Sequence, residues 1–144
     1  MNPDNTVLWS AGIPWNLVSF ATDSTGKMDR IRQVKVYGDV NNITTIVWDK
    51  SQQAYYTRSD NMGEGSYAQF GKIVDTTCAI NAKPCPANQI TGLKTKTLIS
   101  GLNGAHGASF DDYSETILLF GGTHIVQIDP SNPSKIAADV DLNK

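Results

Sequence analysis

The stretch that decides the fold is Gly101-Leu102-Asn103-Gly104-Ala105-His106-Gly107-Ala108-Ser109-Phe110-Asp111, followed by Ile117-Leu118-Leu119-Phe120-Gly121-Gly122 and His124-Ile125-Val126-Gln127-Ile128-Asp129-Pro130. Three short runs rich in aliphatic and aromatic residues stand between glycines and turn formers. None is long enough for a helix with an apolar stripe, and each has the length and punctuation of a strand. Asp129-Pro130-Ser131-Asn132-Pro133 then stops a central strand, because proline offers no N–H to the ladder.

The same pattern runs through all 144 residues. Expected strands are Thr6–Ser10, Asn16–Thr22, Ile31–Gly38, Ile43–Asp49, Ala54–Ser59, Ala68–Thr76, Lys94–Ser100, Ala108–Asp111, Ile117–Gly121, His124–Asp129 and Lys135–Leu142. Thr22-Asp23-Ser24-Thr25-Gly26-Lys27 is a polar turn and not a phosphate loop. Ala21 stands where that motif needs its first glycine, and Met28 follows the lysine. The stretch 77–93 reads as an insertion between two strands.

An internal repeat organises these strands. Val47-Trp48-Asp49-Lys50-Ser51-Gln52-Gln53-Ala54-Tyr55-Tyr56 matches Ser109-Phe110-Asp111-Asp112-Tyr113-Ser114-Glu115-Thr116-Ile117-Leu118. Each has an aromatic residue, then Asp, then a polar turn, then an apolar strand. Arg32–Gly38 and Lys96–Gly101 correspond in turn, each closed by glycine. Without the insertion the period is roughly 45 residues, the size of a four-stranded propeller blade.

On these residues the chain resembles the YVTN or NHL-like β-propeller group. The likeness is clearest over Lys94–Leu142, where an inner strand ends in Phe110-Asp111, the next in Gly121-Gly122 and the third in Ile128-Asp129-Pro130. The expectation is a single all-β domain of about three four-stranded antiparallel blade-like sheets, a partial or half β-propeller. The units span about 6–40, 41–101 and 102–144, and the first lacks an inner strand. Known propellers have four to eight blades. Three would leave a sheet face bare at each end, with Val7 and Trp9 on one and Ile136 and Val140 on the other, so a homo-oligomer or another propeller-completing chain is expected as partner.

Composition narrows the classes. With 18% charged residues and a net charge of −2, nothing suggests a nucleic-acid surface. The longest aliphatic or aromatic run, Ile117-Leu118-Leu119-Phe120, is far short of a membrane-spanning helix. Met1-Asn2-Pro3-Asp4-Asn5 carries no leader pattern, as a mature exported domain also would not. Cys78 and Cys85 share a proline-flanked loop. Their spacing does not suit a zinc knuckle. It allows a local disulfide, two separate buried thiols, or a redox or metal role. With many Asn, Thr, Ser and Gly residues, the lean is towards a disulfide and an extracellular or periplasmic protein.

Candidate ligand-binding residues are His106, His124, Arg58, Tyr67 and Trp15. In a blade, the connection carrying His106, the start of the strand at His124 and the Arg58–Tyr67 loop share the top face, where propeller ligands bind. His106 is a ligand or general base there, or a loop-closing residue whose ring bonds a backbone carbonyl. His124 is a second such group or an exposed turn histidine. Trp15 is the better sugar-stacking candidate, while Trp48 reads as core. Asp111-Asp112-Tyr113-Ser114-Glu115 lacks calcium-loop spacing and reads as a turn in which Asp111 bonds the backbone. Asp139 and Asp141 read as solvent-facing. No catalytic residue, metal or cofactor is expected. The leading function is a non-enzymatic binding or assembly module. The alternatives are a segment of a propeller lyase or hydrolase with a site shared with missing blades, and a carbohydrate-binding lectin-like propeller with a small-molecule or sugar ligand.

Overall fold

The computed structural model describes residues 7–12, 16–22, 25, 28–38, 43–59, 68–75 and 93–144, with side chains within 43–59, 68–74 and 95–144 and at Thr25. Tyr67, Trp15, Cys78 and Cys85 lie outside the described residues, as do the side chains of Val7 and Trp9.

Eleven strands stand among the described residues. They are β1 (Val7–Gly12), β2 (Asn16–Thr22), β3 (Met28–Gly38), β4 (Thr45–Trp48), β5 (Ala54–Arg58), β6 (Gln69–Asp75), β7 (Leu93–Ser100), β8 (Gly107–Asp111), β9 (Thr116–Gly121), β10 (His124–Ile128) and β11 (Ile136–Asp141). Valine, isoleucine and aromatic side chains suit the pleated, half-buried surface that each strand offers.

The strands make two four-stranded antiparallel sheets, β4–β7 and β8–β11, each a meander in chain order. The first unit lacks a strand as expected, and the expectation of a separate third sheet is corrected. β1, β2 and β3 form a three-stranded antiparallel meander, because only three strand-forming runs precede Asn41. Its last strand pairs in parallel with β7 through Val36–Leu93, Tyr37–Lys94 and Gly38–Thr95, which gives a seven-stranded sheet. The outer edge of β7 would otherwise present unpaired N–H and C=O groups.

The repeat read in the sequence holds for the inner strand and its aspartate, and the second turn is one residue longer, so Tyr55 corresponds to Leu118 in place of Ile117. Trp48 stands opposite Ala54 at the end of β4, and Phe110 opposite Ile117 near the end of β8. Each following aspartate organises its turn. Asp49 Oδ1 accepts from the Gln53 N–H at 3.0 Å and the Ser51 hydroxyl at 2.7 Å. Asp111 accepts from the N–H groups of Tyr113 and Ser114 at 3.3 and 3.1 Å and from the Ser114 hydroxyl. These bonds hold the Asp111 carboxyl below the usual carboxylate range, the Ser114 hydroxyl contributing most. The Asp111 turn is as expected from the sequence, and Trp48 is buried as expected.

The core lies between the two sheets. Val47, Tyr55 and Phe70 of one sheet meet Ile117, Leu119, Val126 and Ile128 of the other, with Leu102 and Ala105 of the connection closing one end. The rings of Tyr55 and Phe70 stack with centroids 5.2 Å apart and planes 12° from parallel. The Tyr55 phenol is buried and donates to Asp49 Oδ2 at 3.1 Å. Burial raises its pKa, and the neighbouring carboxylate adds to that.

Candidate functional site

Period-2 pairing places the histidines at one end of the β8–β11 sheet. Gly107 pairs with Phe120 and His124 with Gly121, so His106, just before β8, and His124, at the start of β10, share that end. The connection 101–106 is pinned there. The His106 N–H donates to the Phe120 carbonyl at 2.8 Å, and Leu102 N–H to the Ala68 carbonyl at 3.2 Å. Gly104 is tightly packed against backbone. A Cβ there would lie 3.0 Å from the His124 carbonyl oxygen and 3.2 Å from the Gly121 backbone.

His106 joins the two sheets. Its ring Nδ1 lies 3.0 Å from the hydroxyl of Ser59, a buried residue directly after β5. Its carbonyl accepts from the Thr45 hydroxyl at 3.0 Å and the Thr57 hydroxyl at 3.4 Å. The expectation that the ring bonds a backbone carbonyl is therefore corrected. The loop is closed by the backbone carbonyl of His106 itself, and the ring reaches a hydroxyl on the neighbouring sheet. Arg58, half-buried at the end of β5, lies next to Ser59. Ser59 and His106 have the types of a nucleophile and its base. Among the described residues no carboxylate is bonded to that ring, so the pair lacks the orienting third group of a triad.

His124 has the orienting group that His106 lacks. Its Nδ1 lies 2.6 Å from Asp139 Oδ1, and the Asn103 amide donates to Asp139 Oδ2 at 2.8 Å. Both His124 and Asp139 side chains are largely covered, at 21% and 27% exposure. His124 as an exposed turn histidine is corrected, since it opens β10 and is half-buried, whereas Asp139 lies on the edge strand β11 and is exposed as a residue, as expected. His124 stands opposite Asp141 and Val126 opposite Asp139, so His124 and Asp139 are diagonal neighbours on one face of the β10–β11 pair. A carboxylate on Nδ1 fixes the ring's orientation.

The His124 hydrogen bond holds the Asp139 carboxyl below its ordinary range. A carboxyl with a depressed folded-state pKa contributes stability above its unfolded pKa, near about 4, and loses it as pH falls through the depressed value. Thermal melts of the protein and of Asp139→Asn are expected to differ at neutral pH. The difference should shrink as pH falls below about 4. A gap that stays constant down to strongly acid pH would refute the assignment.

A cleft of about 370 Å³ opens at the opposite end of the two sheets, lined by Asp49, Lys50, Phe110, Glu115, Asp129 and neighbouring groups. Lys50 Nζ and Glu115 Oε1, 2.6 Å apart, bridge the two repeat turns across it. The sequence reading missed this cleft, because nothing local says that the two turns are neighbours. Among the described residues no set of three His, Cys, Asp or Glu side chains converges as a metal site.

No family model matches the chain, and no curated protein matches it. Among solved structures, a luciferin-regenerating enzyme is similar, with a TM-score of 0.47 and 13% identity. The likeness covers 98% of this chain and 44% of that one, so the chain spans less than half of that enzyme's length. The all-β architecture with two four-stranded antiparallel sheets stands on the strand order itself.

Proposed function

We propose that this chain is a non-enzymatic binding and assembly module, a portion of a β-propeller that associates with other blades and binds a partner through the loops at one end. The observation that carries this is an inequality between the two sheets. Both faces of β4–β7 are buried, Val47, Tyr55 and Phe70 on one and Trp48, Ala54 and Tyr56 on the other. The β8–β11 sheet buries Ile117, Leu119, Val126 and Ile128 on one face only, while Phe120 and Val140 on the other are 37% and 51% exposed. In a repeat architecture each unit completes its core against the next, so a last unit with an apolar outer face calls for a further one. The loops that hold Arg58, His106 and His124 form the binding end in this reading. An extracellular or periplasmic setting, with Cys78 and Cys85 paired, belongs to the same proposal and is supported by composition.

Sedimentation velocity across a wide range of concentrations tests it. The expected result is a species heavier than one chain at the upper end of the range, or a stable complex with another blade-bearing chain. A monomer at every concentration, with native sheet content and no partner, overturns the proposal.

A further inference from the structure

The connection between the two sheets carries Asn103-Gly104, the one Asn-Gly pair in the chain. Such a pair has a chemistry of its own. The side-chain carbonyl carbon of an asparagine is one ring closure away from the backbone nitrogen of the next residue, and a glycine there has no Cβ to hinder the approach. Two features of the fold favour the reaction at this position. Asn103 is exposed, so water reaches its side chain. The Gly104 N–H makes no backbone–backbone hydrogen bond among the described residues, so giving up its proton breaks none. The connection is pinned on either side by the N–H groups of Leu102 and His106, so ring closure waits on Gly104 lifting from the Gly121 backbone.

We propose that Asn103 is a self-modification site, which converts by deamidation to aspartate and isoaspartate. The Gly104 nitrogen forms a bond to the Asn103 side-chain carbonyl carbon and loses its proton to water. The carbon–nitrogen bond of the side-chain amide breaks, and the expelled nitrogen takes up a proton and departs as ammonia. Water then opens the cyclic imide at either of its carbonyls. One opening leaves aspartate at position 103. The other leaves isoaspartate, in which the main chain runs through the side-chain carbon. Water is the only co-reactant, and nothing is oxidised or reduced. This chemistry is independent of whether the chain assembles with another.

The surroundings give the change a consequence. The Asn103 amide donates to Asp139 Oδ2 at 2.8 Å, and Asp139 Oδ1 lies 2.6 Å from the His124 ring. Deamidation replaces that donor with a second carboxylate, so like charges meet where an amide bridged. Isoaspartate also lengthens the backbone next to Gly104, where a Cβ would already be only 3.0 Å from the His124 carbonyl oxygen. The connection loses its tie to β11, and Asp139 loses the group that shares in holding it beside His124. The end of the sheets that carries His106 and His124 loosens as the protein ages.

The full chain is incubated at mildly alkaline pH below its melting temperature and mapped by peptide mass spectrometry, with isoaspartate detected by enzymatic methylation. The expected result is a gain of one dalton at Asn103 ahead of Asn132 and Asn143, with both products formed. Asn103→Gln, whose longer side chain closes a ring far more slowly, keeps its mass at this position. Asn103→Asp stands in for one product, and it and the aged protein melt at a lower temperature than the fresh parent. A peptide of residues 101–111 reports the reaction without the fold. A full chain whose Asn103 stays intact after that peptide has converted overturns the proposed site. A chain that deamidates at Asn103 and still melts as the parent does overturns the coupling to Asp139.

Discussion

Phe70→Ala is expected to lower the free energy of unfolding by about 3–5 kcal/mol, read from urea melts followed by circular dichroism. Phe70 is fully buried between the two sheets, where it stacks on Tyr55 and belongs to the cluster with Leu119 and Val126. Truncation removes the ring's transfer free energy and leaves a cavity that two hydrogen-bonded sheets cannot collapse to fill. Whole domains are stable by only about 5–15 kcal/mol, so the loss is a large share of the total. The neighbouring exposed Val74, substituted in the same way, should cost well under about 1 kcal/mol. A Phe70→Ala melt within about 1 kcal/mol of the parent would mean that the inter-sheet core is not closed as described.

Gly71→Ala is expected to be nearly as damaging, although it adds only one methyl group. A Cβ at Gly71 would lie 2.4 Å from the Lys96 carbonyl oxygen and 2.6 Å from two atoms of the Tyr56 ring. The ring cannot swing aside freely, because its hydroxyl is 2.9 Å from the Thr97 hydroxyl and the residue is fully buried. The carbonyl belongs to β7, which pairs with β6 beside the register shift between Phe70 and Gly71. Overpacking of this kind typically costs about 1–3 kcal/mol, and the backbone contact puts this site at the upper end. Combining Gly71→Ala with Tyr56→Ala separates the two causes. Tyr56→Ala removes the ring contact and not the contact with the Lys96 carbonyl, so the double variant should stay less stable than Tyr56→Ala alone. Equal stability of those two proteins would show that the strand pair can move apart.

The strands were legible because their signals are local. Runs such as Thr116–Gly121 and His124–Ile128 carry branched and aromatic residues between glycines and turn formers, and they form strands where they stand. The repeat was legible for the same reason. Trp48-Asp49 and Phe110-Asp111 each end an inner strand with an aspartate that bonds its own turn. The limit of local reading shows at Ile136. Alternation puts it on the face of Val140, four residues on. A register shift between Gln127 and Ile128 breaks that parity, and Ile136 stands opposite buried Ile128 instead. Part of the candidate site was legible as residue types at strand ends, His106 and His124 among them. Their partners Ser59 and Asp139 were not.

The all-β class, the positions of the strands and the likeness of the two later units follow from the order of residues alone, because periodicity and turn chemistry act within a few residues. That β3 joins β7 in parallel, that the His106 ring reaches Ser59 of the other sheet, that Asp139 bonds His124, and which face of β8–β11 is left open all come from the assembled fold. Those outcomes depend on which strand edges and sheet faces meet. Alternation defines two faces for every strand and leaves to packing which of them is covered.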